Sequence, residues 1–250
     1  MELFHRKVSR VTFSTVAPLD ARSIWQRLAK EDGIGAELGM ATDLRDIDRE
    51  RFGSLLQELS AVLVTSAAMD RLHLHYEELR RWSRTTSLIG PGTGAEVLQR
   101  HYVESLAGLD LLAAGRQRVV DVGSGAGFPA LILAAVRTEA SFTLIEANQK
   151  KWSFLMAANR KMSLSCNCLN ARVGGTPVEG LPLEIDVVTS RAVSEADLNL
   201  ERLLPRLSAR GTVLLWVGER NPQIPKGFRV DKQMPLVGSR VRRIVKICRT

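Results

Sequence analysis

The sequence predicts an α/β protein: a mainly parallel, doubly wound sheet with an N-terminal helical appendage. Three observations predict it. From Arg118 onward, short apolar strands alternate with stretches of helical periodicity, the pattern of βαβ units. A glycine-rich turn, Asp121-Val-Gly-Ser-Gly-Ala-Gly127, joins the first of these strands to the next helix. Before it, apolar residues recur three and four apart, and no strand pattern is visible.

Taken in order, residues 1–48 carry little periodicity, although Ile24, Trp25 and Leu28 would form one helical turn; a loosely ordered extension is expected there. Helices are expected over 43–63, with Leu55, Leu56, Leu59, Val62 and Leu63, and over 68–83, with Leu72, Tyr76, Leu79 and Trp82. Gly90-Pro-Gly-Thr-Gly94 punctuates the chain before a further helix over 95–113. The helical segment 49–113 is expected to pack on a domain spanning 114–250. In that domain the pattern gives strands over 118–122, 142–146, 167–171, 185–190 and 212–217, with helices over 127–137, 149–162 and 195–207. The runs Val-Val-Asp-Val, Asp-Val-Val-Thr and Val-Leu-Leu-Trp-Val suit strands buried on both faces. Residues 241–248 are expected as a last, antiparallel strand at or beside an edge.

Composition narrows the class. Hydrophobic residues make up 45% and charged residues 25%, ordinary globular values. No apolar run approaches the roughly 20 residues of a membrane span, and the first residues carry no secretion-signal pattern. A soluble, cytoplasmic protein is expected. Cys166, Cys168 and Cys248 match neither a disulfide framework nor a zinc spacing; reduced thiols and no metal are expected. The net charge of +8 is uneven: residues 201–250 hold 12 Lys and Arg against 3 Asp and Glu, while residues 1–200 are near balance. A basic C-terminal fifth suggests a polyanion footprint, or simply a solvated basic surface.

The glycine-rich turn carries the chemistry. Glycine lets the backbone turn sharply and lets a ligand approach with no Cβ in the way. In doubly wound sheets this turn lies at the carboxyl edge, where ligands bind. The spacing is G-x-G-x-G rather than the dinucleotide G-x-G-x-x-G, with Phe128 where the third glycine would stand. Glu146 follows Gly127 by 19 residues, at the end of the next strand. An acid there can accept hydrogen bonds from both hydroxyls of a ribose.

On these and further motifs, the sequence between about 49 and 220 resembles the RsmG (GidB) family of small-subunit rRNA guanine-N7 methyltransferases, within the class I, Rossmann-like methyltransferases. The family's Asp-x-Gly-[Ser/Thr]-Gly-x-Gly-[Phe/Leu]-Pro-Gly loop is matched through Pro129, before Ala130 replaces the last glycine. Its His-x-x-Asp-Ser reads His101-Tyr-Val-Glu104-Ser105, its Lys-Lys-x-x-Phe-Leu reads Lys150-Lys-Trp-Ser-Phe154-Leu155, and its Ser-Arg-Ala reads Ser190-Arg191-Ala192. The chain departs at three places: Ser87-Leu88-Ile89 for Asn-Leu-Thr, Arg172-Val-Gly174 for Arg-x-Glu, and Val217-Gly218 for Lys-Gly.

The resemblance implies S-adenosylmethionine as cofactor and 16S rRNA or the small ribosomal subunit as partner, with neither membrane nor metal, in a monomer. It implies a cofactor loop of Asp121, Gly123, Gly125, Gly127 and Phe128, and Glu146 on the ribose. Val173 and Gly174 would lie beside the adenine. Arg191 would sit near the methionine part or the incoming RNA, its other reading being a partner for a structural carboxylate. His101 would orient contacts around the loop, or simply pack there. The basic residues Arg240, Arg242, Arg243 and Lys246 would bind RNA phosphates. Guanine N7 offers an unprotonated lone pair, so its methylation needs no general base. A small-molecule or protein acceptor, and a catalytically silent RNA-binding module, remain open on the residues alone.

Overall fold

The computed structural model describes residues 44–90, 96–174, 177–191 and 198–250. The expected extension over 1–48 therefore lies outside these residues up to 43, as does most of the Gly/Pro stretch at 90–94.

Two capped helices come first. Helix α1 (Arg49–Leu59) starts at Asp48, whose carboxylate accepts from the Arg51 amide at 2.8 Å. Helix α2 (Ser66–Ser83) starts at Thr65, whose hydroxyl accepts from the Ala68 amide, and ends with Arg80 and Arg81 in its last turn. Cap oxygens satisfy otherwise orphaned amides, and cations suit the negative helix end.

The expected helix over 95–113 is not uniform. It contains a π-helical stretch Leu98–Val103, one α turn Glu104–Leu106 and a 3-10 turn Ala107–Leu111. Gly108 explains part of this: a Cβ there would sit 2.6 Å from the Trp216 ring, so only glycine lets the turn lie against that indole.

Seven strands form one sheet: β1 (Arg118–Val122), β2 (Ser141–Ile145), β3 (Asn167–Leu169), β4 (Ile185–Arg191), β5 (Leu207–Val217), β6 (Phe228–Pro235) and β7 (Arg243–Arg249). Their order is β3-β2-β1-β4-β5-β7-β6. The first five pair in parallel, and β7 runs antiparallel between β5 and β6. Helices α3 (Ala130–Val136) and α4 (Gln149–Lys161) cross between strands. The doubly wound α/β sheet is the one expected.

Strand alternation divides the core into two layers. Val119, Leu144, Leu214 and Trp216 face the α1–α4 side; Val120, Val122, Ile145, Val213 and Leu215 face the other.

One expected helix is cut short, and one strand was not expected. Within the helix expected over 195–207, Leu198 is helical, but 3-10 turns Leu200–Arg202 and Leu204–Arg206 follow it. Asn199 takes a left-handed conformation before the first turn, and Pro205 removes an amide donor in the second. Strand β6 was not foreseen. Its sequence, Phe-Arg-Val-Asp-Lys-Gln-Met-Pro, is mostly exposed, and its alternation of Phe228, Val230 and Met234 is broken at Lys232, as suits an edge strand protected by charge and proline.

Candidate functional site

The carboxyl ends of β1, β2 and β4 frame a cavity of about 380 Å3. The loop after β1 forms its floor. Gly123, Gly125 and Gly127 all have positive φ, at 70°, 54° and 80°, a region where a side chain is strained. The Gly123 and Ser124 amides donate to the Ile145 carbonyl at 2.9 and 3.1 Å, and the Gly127 amide to the Ser124 carbonyl at 2.7 Å. The loop is thereby stitched to the end of β2.

Glu146 closes one end. One carboxylate oxygen accepts from the Gly125 amide at 2.9 Å and the other from the Asn148 amide at 2.7 Å. Asn148 also caps α4 through its side-chain oxygen. Each Glu146 oxygen keeps lone-pair capacity, and the residue lines the cavity. Ala171, Arg172 and Val173 complete this wall.

Three residues of the expected cofactor set stand behind the lining. Gly127 packs on Leu131, with no room for a Cβ. Gly174 has a φ of +110° and lies against the Asn199 amide. Asp121 lies beneath the loop, 1% exposed, accepting from the Thr189 hydroxyl at 2.6 Å; its other oxygen has no partner among the described residues. Burial pushes its carboxyl up to about 7, the Ser124 and Thr189 hydroxyls opposing and the Glu146 charge adding to the rise.

At the other end stand His101, Phe128 and Arg191. The His101 and Phe128 rings are 4.9 Å apart and tilted by 30°. Both His101 ring nitrogens are buried without a partner among the described residues. Burial, then the charges of Arg191, Arg100 and Arg242, hold its pKa down at about 3; the ring is neutral near pH 7. Arg191 combines both roles considered for it: it lines the cavity and pairs with a buried carboxylate, Glu104, at 2.7 Å. Its Nη1 is buried and unpartnered among the described residues. Burial lowers its pKa, while Glu104 opposes the drop. Ala192, the last residue of that motif, lies outside the described residues.

Sequence reasoning missed two residues behind this end. Glu104, 1% exposed, also accepts from Arg242 Nε at 2.6 Å, and its carbonyl accepts from the Trp216 indole at 2.7 Å. His75 lies buried among Tyr102, Phe128 and Phe154. Its Nε2 is 3.0 Å from the Ala126 carbonyl, and its Nδ1 is 2.7 Å from the Tyr102 hydroxyl. A carbonyl only accepts, so Nε2 carries the proton and Nδ1 receives the tyrosine's. Burial lowers its pKa to about 4. Its signal was available: position 75 follows Leu72 by three, a polar residue on an apolar stripe.

The four basic residues expected on phosphate have unlike surroundings. Arg242 turns inward to Glu104. Lys246 pairs with Asp231 at 3.2 Å. Arg243 donates to the Gly218 carbonyl, the Asn221 side chain and Gln233. Arg240 is exposed and forms no ion pair among the described residues. Among those residues, no cluster of His, Cys, Asp and Glu could hold a metal, and no helix is long and apolar enough to cross a membrane.

The family described as GidB, rRNA small subunit methyltransferase G, matches residues 68–234. A relative named ribosomal RNA small subunit methyltransferase G, from Jannaschia sp. (strain CCS1), is 34% identical over 155 residues, covering 60% of this chain and 72% of that protein. One of the same name from Methylobacterium radiotolerans is 33% identical over 208 residues, covering 80% of this chain and 87% of that protein. In fold, the chain is similar to the mitomycin 7-O-methyltransferase MmcR, with a TM-score of 0.50 and 15% identity, covering 92% of this chain and 83% of that one.

Proposed function

Because the chain belongs to the GidB family, rRNA small subunit methyltransferase G, we propose that it methylates N7 of a guanine in 16S rRNA, using S-adenosylmethionine. One observation carries the cofactor reading: a glycine loop and a strand-end carboxylate line one cavity together with His101 and Arg191, whose ring nitrogens and Nη1 have no partner among the described residues. The first pair suits a ribose, and the second suits a charged or polar group.

Bound S-adenosylmethionine supplies a methyl group on a positively charged sulfur. Glu146 accepts the ribose hydroxyls with the lone pairs that its two amide partners leave free. Val173 and the glycine loop provide close apolar and backbone contact for the adenosyl group. Arg191 lines the other end, and Glu104 fixes its guanidinium plane, so the cation is pre-oriented. His101 offers an uncharged N–H and a lone pair there. A histidine with a pKa near 3 is a poor base at neutral pH, and N7 of guanine needs none. The chain's task is alignment of the reacting atoms and a pocket for an unstacked base. The protein would act in the cytoplasm as a monomer.

Calorimetric titration with S-adenosylmethionine, followed by methyl transfer to small-subunit RNA from cells lacking the gene, tests the reading. Saturable cofactor binding and one modified guanine are expected. Cofactor binding without transfer to that RNA would rule out the RNA acceptor; no binding would point to a silent module.

A further inference from the structure

The hairpin that ends the chain returns to the active edge of the sheet. In register, Arg243 at the start of β7 lies opposite Val217 at the carboxyl end of β5, and opposite Pro235 at the end of β6. The hairpin loop, 236–242, therefore stands on the same edge as the cavity. It is docked there: the Gln99 side chain donates to the Val237 carbonyl at 3.4 Å, and Gly238 packs so closely on Gln99 that a Cβ would collide.

A second cleft of about 380 Å3 opens between this loop and the segment after β5. Arg240, Arg242, Arg243 and Asn221 line it, with Glu219 as its acid. Arg243 is held by neutral acceptors: the Gly218 and Val241 carbonyls and the Gln233 and Asn221 side chains. A guanidinium bonded to neutral acceptors keeps its full charge while losing its freedom to move. Arg240 is exposed, and no carboxylate pairs with it or with Arg243 among the described residues. Val241, 47% exposed, lines the cleft and adds apolar surface beside the two cations. The cleft adjoins the cavity: Arg242 of the cleft and Arg191 of the cavity bind the two oxygens of Glu104.

We infer that this cleft is a phosphate subsite for the RNA strand, holding the backbone beside the nucleotide whose base enters the cavity, with Arg240 as the contacting cation and Arg243 as its fixed electrostatic floor. The inference rests on the RNA reading above. It also divides the basic tail: Lys246, neutralised by Asp231, and Arg242, turned to Glu104, are not the phosphate contacts.

The test is binding of a labelled single-stranded oligoribonucleotide to the full chain across a salt series, for the parent, Arg240→Gln and, as control, Arg210→Gln. Arg210 is an exposed arginine in the first half of β5, away from the carboxyl edge. Arg240→Gln is expected to weaken binding several-fold at low salt and to reduce the slope of log affinity against log salt by about 0.7–0.9. Its S-adenosylmethionine affinity should be unchanged, and Arg210→Gln should follow the parent. Equal slopes for Arg240→Gln and the parent would overturn the subsite, as would an equal loss in both variants. Methyl transfer is scored separately. A slope difference without transfer sinks the methylation reading and leaves the subsite standing; transfer with equal slopes does the reverse.

Discussion

The two ends of the cavity are built differently. At the Glu146 end, both carboxylate oxygens are engaged by backbone amides, and loop, strand and helix cap close on one another. At the His101–Arg191 end, three buried nitrogens have no partner among the described residues. An unsatisfied buried polar atom costs about 1–3 kcal/mol. The first end is complete as folded and needs only spare lone pairs. The second keeps polar capacity that the described residues leave unused. The difference contrasts an end satisfied by backbone amides with an end whose polar atoms the described residues leave unpaired.

The largest effect is expected at Glu104, which serves both the cavity and the hairpin loop. Removing the shared carboxylate leaves two guanidiniums facing each other without compensation. Breaking a buried ion pair from one side costs about 3–5 kcal/mol. Glu104→Gln should lose that much stability in urea unfolding. The shorter Glu104→Asp should recover part of both stability and cofactor affinity. If Glu104→Gln melts like the parent, the second end is not organised by this carboxylate.

The floor between the two ends gives a pH signature. The folded pKa of His75 is about 4, below its ordinary 6.5. Its contribution is present in full above pH 6.5 and is lost as pH falls through about 4. The limit is about 3 kcal/mol. Asp121 acts oppositely, because its folded value near 7 exceeds its ordinary 3.8: its contribution is present at low pH and is lost as pH rises through 7. Between pH 4 and 6.5 the two contributions oppose each other, so relative to the parent the unfolding free energy should fall with rising pH in His75→Gln and rise with it in Asp121→Asn. The reverse order would contradict these assignments.

How much of this was legible depends on the range of each interaction. Strands β1, β2, β4 and β5 were readable because both faces are buried, so each is a local apolar run. Glu146 was readable because a strand end and a glycine turn fix its place within a short segment. Strand β6 was not, since an edge strand with exposed faces leaves only a broken apolar period, interrupted at Lys232. Glu104 and Arg242 stand 138 residues apart in the chain, and no local pattern announces such a pairing. The same holds for Arg243. It bonds to the Gly218 carbonyl and pairs in register with Val217, so a cation from the last strand lies opposite the position where the resemblance expects a lysine.

The Glu146 end predicts a loss mainly on the ligand side, beside a smaller loss of stability where the new NH2 replaces an oxygen that accepts from the Gly125 or Asn148 amide. Glu146→Gln keeps one acceptor oxygen but gives up the charge that strengthens hydrogen bonds to a ribose. Charge-assisted bonds contribute about 1.5–3 kcal/mol each. S-adenosylmethionine affinity should fall by roughly 10- to 100-fold, with oligoribonucleotide binding unchanged. Equal losses for both ligands would mean that the residue supports the fold rather than the cofactor.

His101→Phe gives the smallest stability change and the sharpest contrast. Phenylalanine keeps the ring against Phe128 and removes both unpartnered nitrogens. If those nitrogens await a ligand, the variant should match the parent in stability or exceed it by about 1 kcal/mol, because an unmet polar group is gone. Methyl transfer should nevertheless fall at least 10-fold, with Glu146-dependent cofactor binding largely kept. A residue that merely packs would behave the other way, losing stability through a misfit ring while leaving turnover at saturating RNA unchanged. That second pattern would show that the cavity's unsatisfied end is an accident of packing rather than the place where the acceptor is held.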